Sequence, residues 1–135
     1  MDIRDVEKNL KKQDAKYLIN AGVSEGEIEK SQTLLGETFP EQVADFYRSC
    51  NGLNVTEKLE IYKLEDLQKD GALIEFAIFD NKHSIAFDIS SLNIAGQWDI
   101  VNSKNHFIIT HTMASFITNK IWAWLHRERK VWDEE

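Results

Sequence analysis

Hydrophobic positions in this 135-residue chain change their period near Gly52. Before it they recur at the three-to-four-residue spacing of helices. After it they alternate, until a last helical stretch. Residues 2–20 place Ile3, Val6, Leu10, Tyr17 and Leu18 near one helical stripe, with Asp2 as N-cap, Asp5 in the first turn and Gly22 at the end. Ser24-Glu25-Gly26-Glu27 reads as a capping box. The helix it opens directs Ile28, Leu34 and Leu35 to the core and closes at Gly36. Thr38-Phe39-Pro40-Glu41 repeats the device, with Pro40 in the first turn, where a missing N–H is harmless. That third helix buries Val43, Phe46, Tyr47 and Cys50 and stops at Asn51-Gly52.

The second half predicts strands. Leu59–Tyr62 is a short strand and Leu64–Lys69 a helical turn. Leu73–Phe79, with Ile74, Phe76 and Ile78 on one face, and Ser84–Ile89, with Ile85, Phe87 and Ile89 on one face, form a hairpin around Asp80-Asn81-Lys82-His83. Trp98–Val101 and His106–Ile109 form a second pair. From Met113 to Arg129 a helix buries Ile117, Ile121, Trp124 and Leu125, and Arg127, Arg129 and Lys130 suit its negative pole. Asp133-Glu134-Glu135 reads as a frayed tail. The fold class expected is α+β in one domain, residues 1–135. N-terminal helices precede an antiparallel or mixed sheet of about five to six strands, and a C-terminal helix packs on one face.

Charge narrows the function. Sixteen Lys and Arg against 23 Asp and Glu give a net −7. That excess argues against direct nucleic-acid binding, which needs a basic face. One cysteine excludes an intramolecular disulfide and a multi-thiolate metal site. No run approaches the ~20 apolar residues of a membrane span. The charged start, Met1-Asp2-Ile3-Arg4-Asp5, does not read as a secretory signal, so the expected location is the cytoplasm.

Catalytic constellations are sparse. Cys50 ends the apolar side of a helix and reads as a small core residue. His106 and His111 lack a companion thiolate or an HExxH helix, so no metal is expected. His83 and His126 read as solvated. No GxGxxG, GxxxxGK[ST] or GxSxG occurs, and no cofactor is expected. Glu75, Asp80, Asp88 and Asp99 fall in the sheet region and could share a cleft, or could simply shape turns and face water. An acid–base hydrolase therefore ranks last. Residues 24–70 hold 11 acids against 5 bases, most of the charge excess in about a third of the chain. This reads as a solvated face or as a patch that steers a basic partner. Trp124 lies on the last helix's stripe, Trp98 opens a strand, and Trp122 and Trp132 fall off the stripe.

The segment Ile28–Gly52 resembles the opening signature of the SUKH superfamily, the bacterial relatives of a fungal cell-wall regulator. Ile28, Leu35, Gly36, Phe39, Pro40, Phe46, Tyr47, Asn51 and Gly52 stand at matching positions. Gln32 stands where that family usually has Glu, and Phe39 where Leu is usual. Ile74–Asp88 and Ala114-Ser115-Phe116 fit the looser downstream order of strands and a final helix. The resemblance implies an immunity protein that binds and occludes a cognate protein toxin, commonly a nuclease and therefore basic, without turnover. It also implies a second reading, a non-enzymatic regulatory adaptor. It transfers no contact residue. On physical grounds the candidates for partner binding are Glu75, Asp80, Asp88, Trp98 and Asp99, acids around an aromatic anchor.

Overall fold

The computed structural model describes residues 3–133. Helix α1 (Ile3–Lys12), strand β1 (Tyr17–Ala21) and helices α2 (Glu25–Leu35) and α3 (Glu41–Ser49) come first. Strands β2 (Cys50–Val55), β3 (Leu59–Ile61), β4 (Gln68–Asp70), β5 (Leu73–Phe79), β6 (His83–Asp88), β7 (Asp99–Asn102) and β8 (Ile108–Thr110) follow, with a 3-10 turn at Leu64–Asp66. The last helix joins α4 (Met113–Ser115), a π-helical segment (Phe116–Lys120) and α5 (Ile121–Arg127) end to end. The α+β class is as expected. The sheet is larger than expected, with eight strands in the order β1-β2-β3-β5-β6-β7-β8 and β4 paired to β5 beyond β3. Every pairing is antiparallel.

The N-terminus departs from the helix predicted over 2–20. Helix α1 ends at Lys12, Asp14 turns the chain with φ 53°, and residues 17–21 become an edge strand. Tyr17, Leu18 and Ile19 pair with Val55, Asn54 and Leu53. A short apolar run fits either period, and a vacant sheet edge decides it. Gly22 therefore follows a strand and caps no helix. Asp2, Glu134 and Glu135 lie outside the described residues. Asp133 is not loose, since it accepts a hydrogen bond from Asn105 Nδ2 at 3.3 Å.

Helix α2 starts as its sequence dictates. Ser24 Oγ accepts from the Glu27 N–H at 3.2 Å and Gly36 caps the end in the left-handed conformation. Its core contacts are Ile28, Ser31 and part of Leu35, while Leu34 is exposed, a correction to its expected burial. The second capping box does not form. Pro40 is the N-cap of α3 with no side-chain bond. The Phe39 N–H is satisfied instead by Gln32 Oε1 at 2.9 Å, reaching over from α2. Helix α3 ends at Ser49, and Cys50, Asn51 and Gly52 already belong to β2. Gly52 has φ 89°, and a Cβ there would sit 2.6 Å from the Ile61 carbonyl oxygen. Only glycine fits so close to the neighbouring strand. Asn51 Oδ1 accepts from the Leu64 N–H at 2.7 Å and so starts the 3-10 turn. The Asn-Gly pair thus joins two sheet elements just past the helix it was expected to stop.

The helices cover one face of the sheet. Leu53, Leu59, Ile61, Ile74, Phe76, Ala77, Phe79, Ile85, Phe87 and Ile100 face them and are buried in a single cluster with Val6, Leu10, Val43, Phe46, Tyr47, Phe116, Ile117 and Ile121. Phe76 stacks on Phe87 with ring centroids 4.0 Å apart and meets Phe116 edge-on at 5.4 Å. Full burial of each such ring stabilises by roughly 1.5–3 kcal/mol. The Tyr47 hydroxyl, buried among them, donates to the Tyr62 carbonyl at 2.9 Å. Trp132, expected off the buried stripe, is buried against Phe79 and stacks on His83 at 4.6 Å. His83 is therefore half-buried, not solvated. His126 is half-buried too, with Nε2 enclosed and lacking a hydrogen-bond partner among the described residues.

A bulge in β5 decides which residues reach the other face. Register shifts between Glu75 and Ala77, so Phe76 and Ala77 both turn inward. The alternation is then inverted, and Ile78 faces outward, opposite to its predicted side.

Candidate functional site

Among the described residues the helices pack into the cluster on one face of the sheet, and the outward face carries none of them. Its residues follow from the register. Leu18 lies beside Asn54, and Asn54 beside Glu60. Glu60 pairs with Ile78, and Ile78 with Ser84. Gln68 pairs with Glu75, Glu75 with Ala86, and Ala86 with Val101. Asp70 pairs with Leu73, Leu73 with Asp88, and Asp88 with Asp99. Ala86 and Val101 are buried but stand outside the helix-side cluster, because only their strand neighbours cover them. Leu18 and Ile108 are exposed on the same face.

Glu75, Asp88 and Asp99 therefore share one surface, as the sequence suggested. Asp80 does not join them. It is exposed in the β5–β6 turn, with φ 55° and its N–H donated to the Lys58 carbonyl at 2.7 Å. Trp98 is the clear correction. It is 5% exposed, edge-on to Phe39 at 6.1 Å and tilted on Phe87 at 5.7 Å. The residue before β7 falls on the helix side of the pleat, so Trp98 is core and cannot anchor a partner. Glu60 and Asp70 were missed. The alternation Leu59-Glu60-Ile61 marks Glu60 as outward-facing, but nothing local places β3 and β4 beside Glu75.

The face is electrostatically one-sided. Glu60, Asp70, Glu75, Asp88 and Asp99 occupy its strand positions. Among the described residues the only Lys or Arg in a strand is Lys69, which turns to the helix side and donates to the Leu35 carbonyl at 3.1 Å while pairing with Glu37 at 3.2 Å. Asp88 and Asp99 are direct cross-strand neighbours of like charge, an arrangement that costs stability. Each carboxylate is compensated locally. Asp88 Oδ1 accepts from the Ser90 N–H at 3.0 Å and Ser90 Oγ at 2.6 Å. Asp99 Oδ1 accepts from Asn93 Nδ2 at 2.8 Å and meets His111 Nδ1 at 2.7 Å. Burial raises the Asp99 pKa, but the bonds from His111 and Asn93 outweigh it and hold the group below its ordinary value. Tyr62 sits near Glu60 and Glu75, and its hydroxyl is pushed up by burial first and by those two charges next.

Acids on the helix side are treated differently. Arg48 binds both Glu25 and Asp45, and its bond lowers the Glu25 pKa. Cys50 is fully buried, and burial pushes its thiol up to about 12, which disfavours the thiolate. Among the described residues no hydroxyl or thiol is bonded to the second ring nitrogen of His111, the place that a nucleophile takes in a triad. Among the described residues no group of three or more His, Cys, Asp or Glu is placed to hold a metal ion. No helix among them is long and apolar enough to cross a membrane. What the geometry offers is an acidic plane studded with apolar residues.

No known protein family's model matches this chain, and no curated protein matches it either.

Proposed function

We propose that this chain is a SUKH-type immunity protein that neutralises a basic, nuclease-type protein toxin by covering it. The observation that carries the reading is the open sheet face with five carboxylates and no Lys or Arg at any of its strand positions. A nuclease must attract phosphate and so presents cations around its active site. An acidic plane competes for those cations and is steered to them, with association accelerated by ~10–10³-fold at low salt. Leu18, Ile78 and Ile108 supply apolar area between the charges, which a lasting complex needs. The order α2, Gly36, α3 supports the family side of the reading, with Asn51-Gly52 falling in β2 just past the helix. The action is occlusion in the cytoplasm of the producing cell, with no cofactor and no direct nucleic-acid contact.

The test uses the toxic C-terminal domain encoded beside this chain's gene. Co-expression should restore growth to cells making that domain. The purified pair, with the toxin catalytically inactivated, should associate more slowly as salt rises. No such domain in the neighbourhood, or no binding to it, overturns the reading. A rate indifferent to ionic strength overturns its electrostatic part.

One observation favours the second reading, a regulatory adaptor. Leu34, 77% exposed, borders a groove of about 350 Å³ with Leu35, Leu64 and Leu67, between α2 and the 3-10 turn. Several weak partners bound through this groove, with the sheet face unused, would favour the adaptor.

A further inference from the structure

The loop between β6 and β7 carries an apolar tip that folding does not require. Ile94 is fully exposed and Leu92 is 60% exposed. Ile94 occupies the corner of a tight turn in which the Gly96 N–H donates to the Asn93 carbonyl at 2.9 Å. Such corners ordinarily carry Pro or polar residues.

The tip is held firmly. Asn93 Oδ1 accepts from the N–H groups of Ala95 at 2.9 Å and Gln97 at 3.2 Å. Its Nδ2 donates to Asp99 Oδ1 and to the His111 carbonyl, both at 2.8 Å. Both donors and both acceptor positions of the carboxamide are in use. Behind the turn, buried Gln97 accepts from the Gln42 N–H at 3.2 Å, and Gln42 in turn accepts from the Ala114 N–H at 2.9 Å. The tip is thereby tied to β7, to the end of β8, and to helices α3 and α4. A side chain presented this way loses little further freedom on burial.

We propose that Leu92 and Ile94 form the anchor of the binding surface, inserting into an apolar socket rimmed by Lys or Arg on the basic toxin. Charge complementarity selects that occupant. Asp88 and Asp99 stand at the two ends of the loop, and no Lys or Arg occurs between His83 and Ser103. The inference rests on the toxin-binding reading and adds where the complex is locked.

Binding kinetics to the inactivated toxin domain test it. Ile94→Ala should dissociate about 30-fold faster and Leu92→Ala about fivefold faster, with association rates within threefold of wild type, as truncation of a central contact acts on departure. Ile94→Ala should unfold at the wild-type urea midpoint and Leu92→Ala close to it, because Ile94 is fully exposed and Leu92 is largely so. Asn93→Ala keeps both apolar side chains but frees the turn. It should weaken binding about tenfold and speed amide exchange at Ala95 and Gln97. Wild-type binding with Ile94→Ala leaving at the wild-type rate overturns the anchor and spares the toxin reading. Failure of wild type to bind overturns both. Self-association of the chain that Ile94→Ala abolishes assigns the tip to a second copy and overturns the socket.

Discussion

The two faces of this sheet are built from the same strands and obey opposite rules. On the helix side, side chains interlock. Phe76 touches both Phe87 and Phe116, and the acids Glu25, Asp45 and Glu37 each find a cation in Arg48 or Lys69. On the open side, five carboxylates line the strands without Lys or Arg, and two of them stand directly opposite each other. Stability selects the first arrangement. It does not select the second, since like charges across a strand pair weaken the sheet. The open face carries its carboxylates without Lys or Arg at its strand positions and keeps apolar residues exposed, which is the contrast that the proposed partner reading rests on.

Adjacent residues give the sharpest way to break that contrast. Phe76→Ala should cost about 3–5 kcal/mol, by urea unfolding, since it empties a stacked, fully buried site. Glu75→Ala, one residue earlier but on the open face, should stay within about 0.5 kcal/mol. Similar losses at the two positions would mean that the open face is packed after all.

Reversing charge on the open face should leave the fold intact and change recognition. Glu75→Lys combined with Asp88→Lys should slow association with the toxin domain about 10–100-fold at low salt, converging toward wild type at high salt. The same reversal at Glu25 and Asp45, on the helix side, should have little effect on that rate. Equal effects from both sides would show that only net charge matters.

Next in size is the loss of the cap at Ser24. Ser24→Ala should cost about 1 kcal/mol through α2 alone, with toxin association unchanged.

The pH limits separate the faces with the smallest effect. Cys50, buried on the helix side, holds its proton up to about 12 against an ordinary value of 9.0. The stability this confers is intact below about 9 and lost as pH rises toward 12, because the unfolded thiol ionises first. Native Cys50 should accordingly resist alkylation at pH 8. Asp99, on the open side, is held below its ordinary value by His111 and Asn93 despite its burial. Its contribution is present above about 4 and is lost as pH falls through its lowered value. Asp99→Asn should flatten the acid limb of the unfolding curve and leave the alkaline limb unchanged.

Much of the local structure was legible. The Ser24 cap, the Gly36 stop, the hairpin of β5 and β6 and the last helix follow from periodicity and cap chemistry, which act over a few residues. The site was legible in part. Glu75, Asp80, Asp88 and Asp99 all fall in the sheet region of the sequence, but Asp80 lies in the β5–β6 turn away from the other three, and the side to which Trp98 points is set by the register of β7 against β6. Glu60 and Asp70 could not be found locally, since their nearness to Glu75 is set by β3 and β4 lying end to end along β5.

Sequence by itself therefore determined the class of fold, the helix end governed by the Ser24 cap, and a net charge of −7. Tertiary structure alone decided that residues 17–21 are strand, that one bulge turns Ile78 outward, that Trp98 and Trp132 are core, and that a single asparagine holds Ile94 in the open. The physical reason is range. Caps and periods are short-range energies carried by neighbouring residues, whereas strand register and the covering of one face are settled by contacts between distant segments that no local pattern encodes.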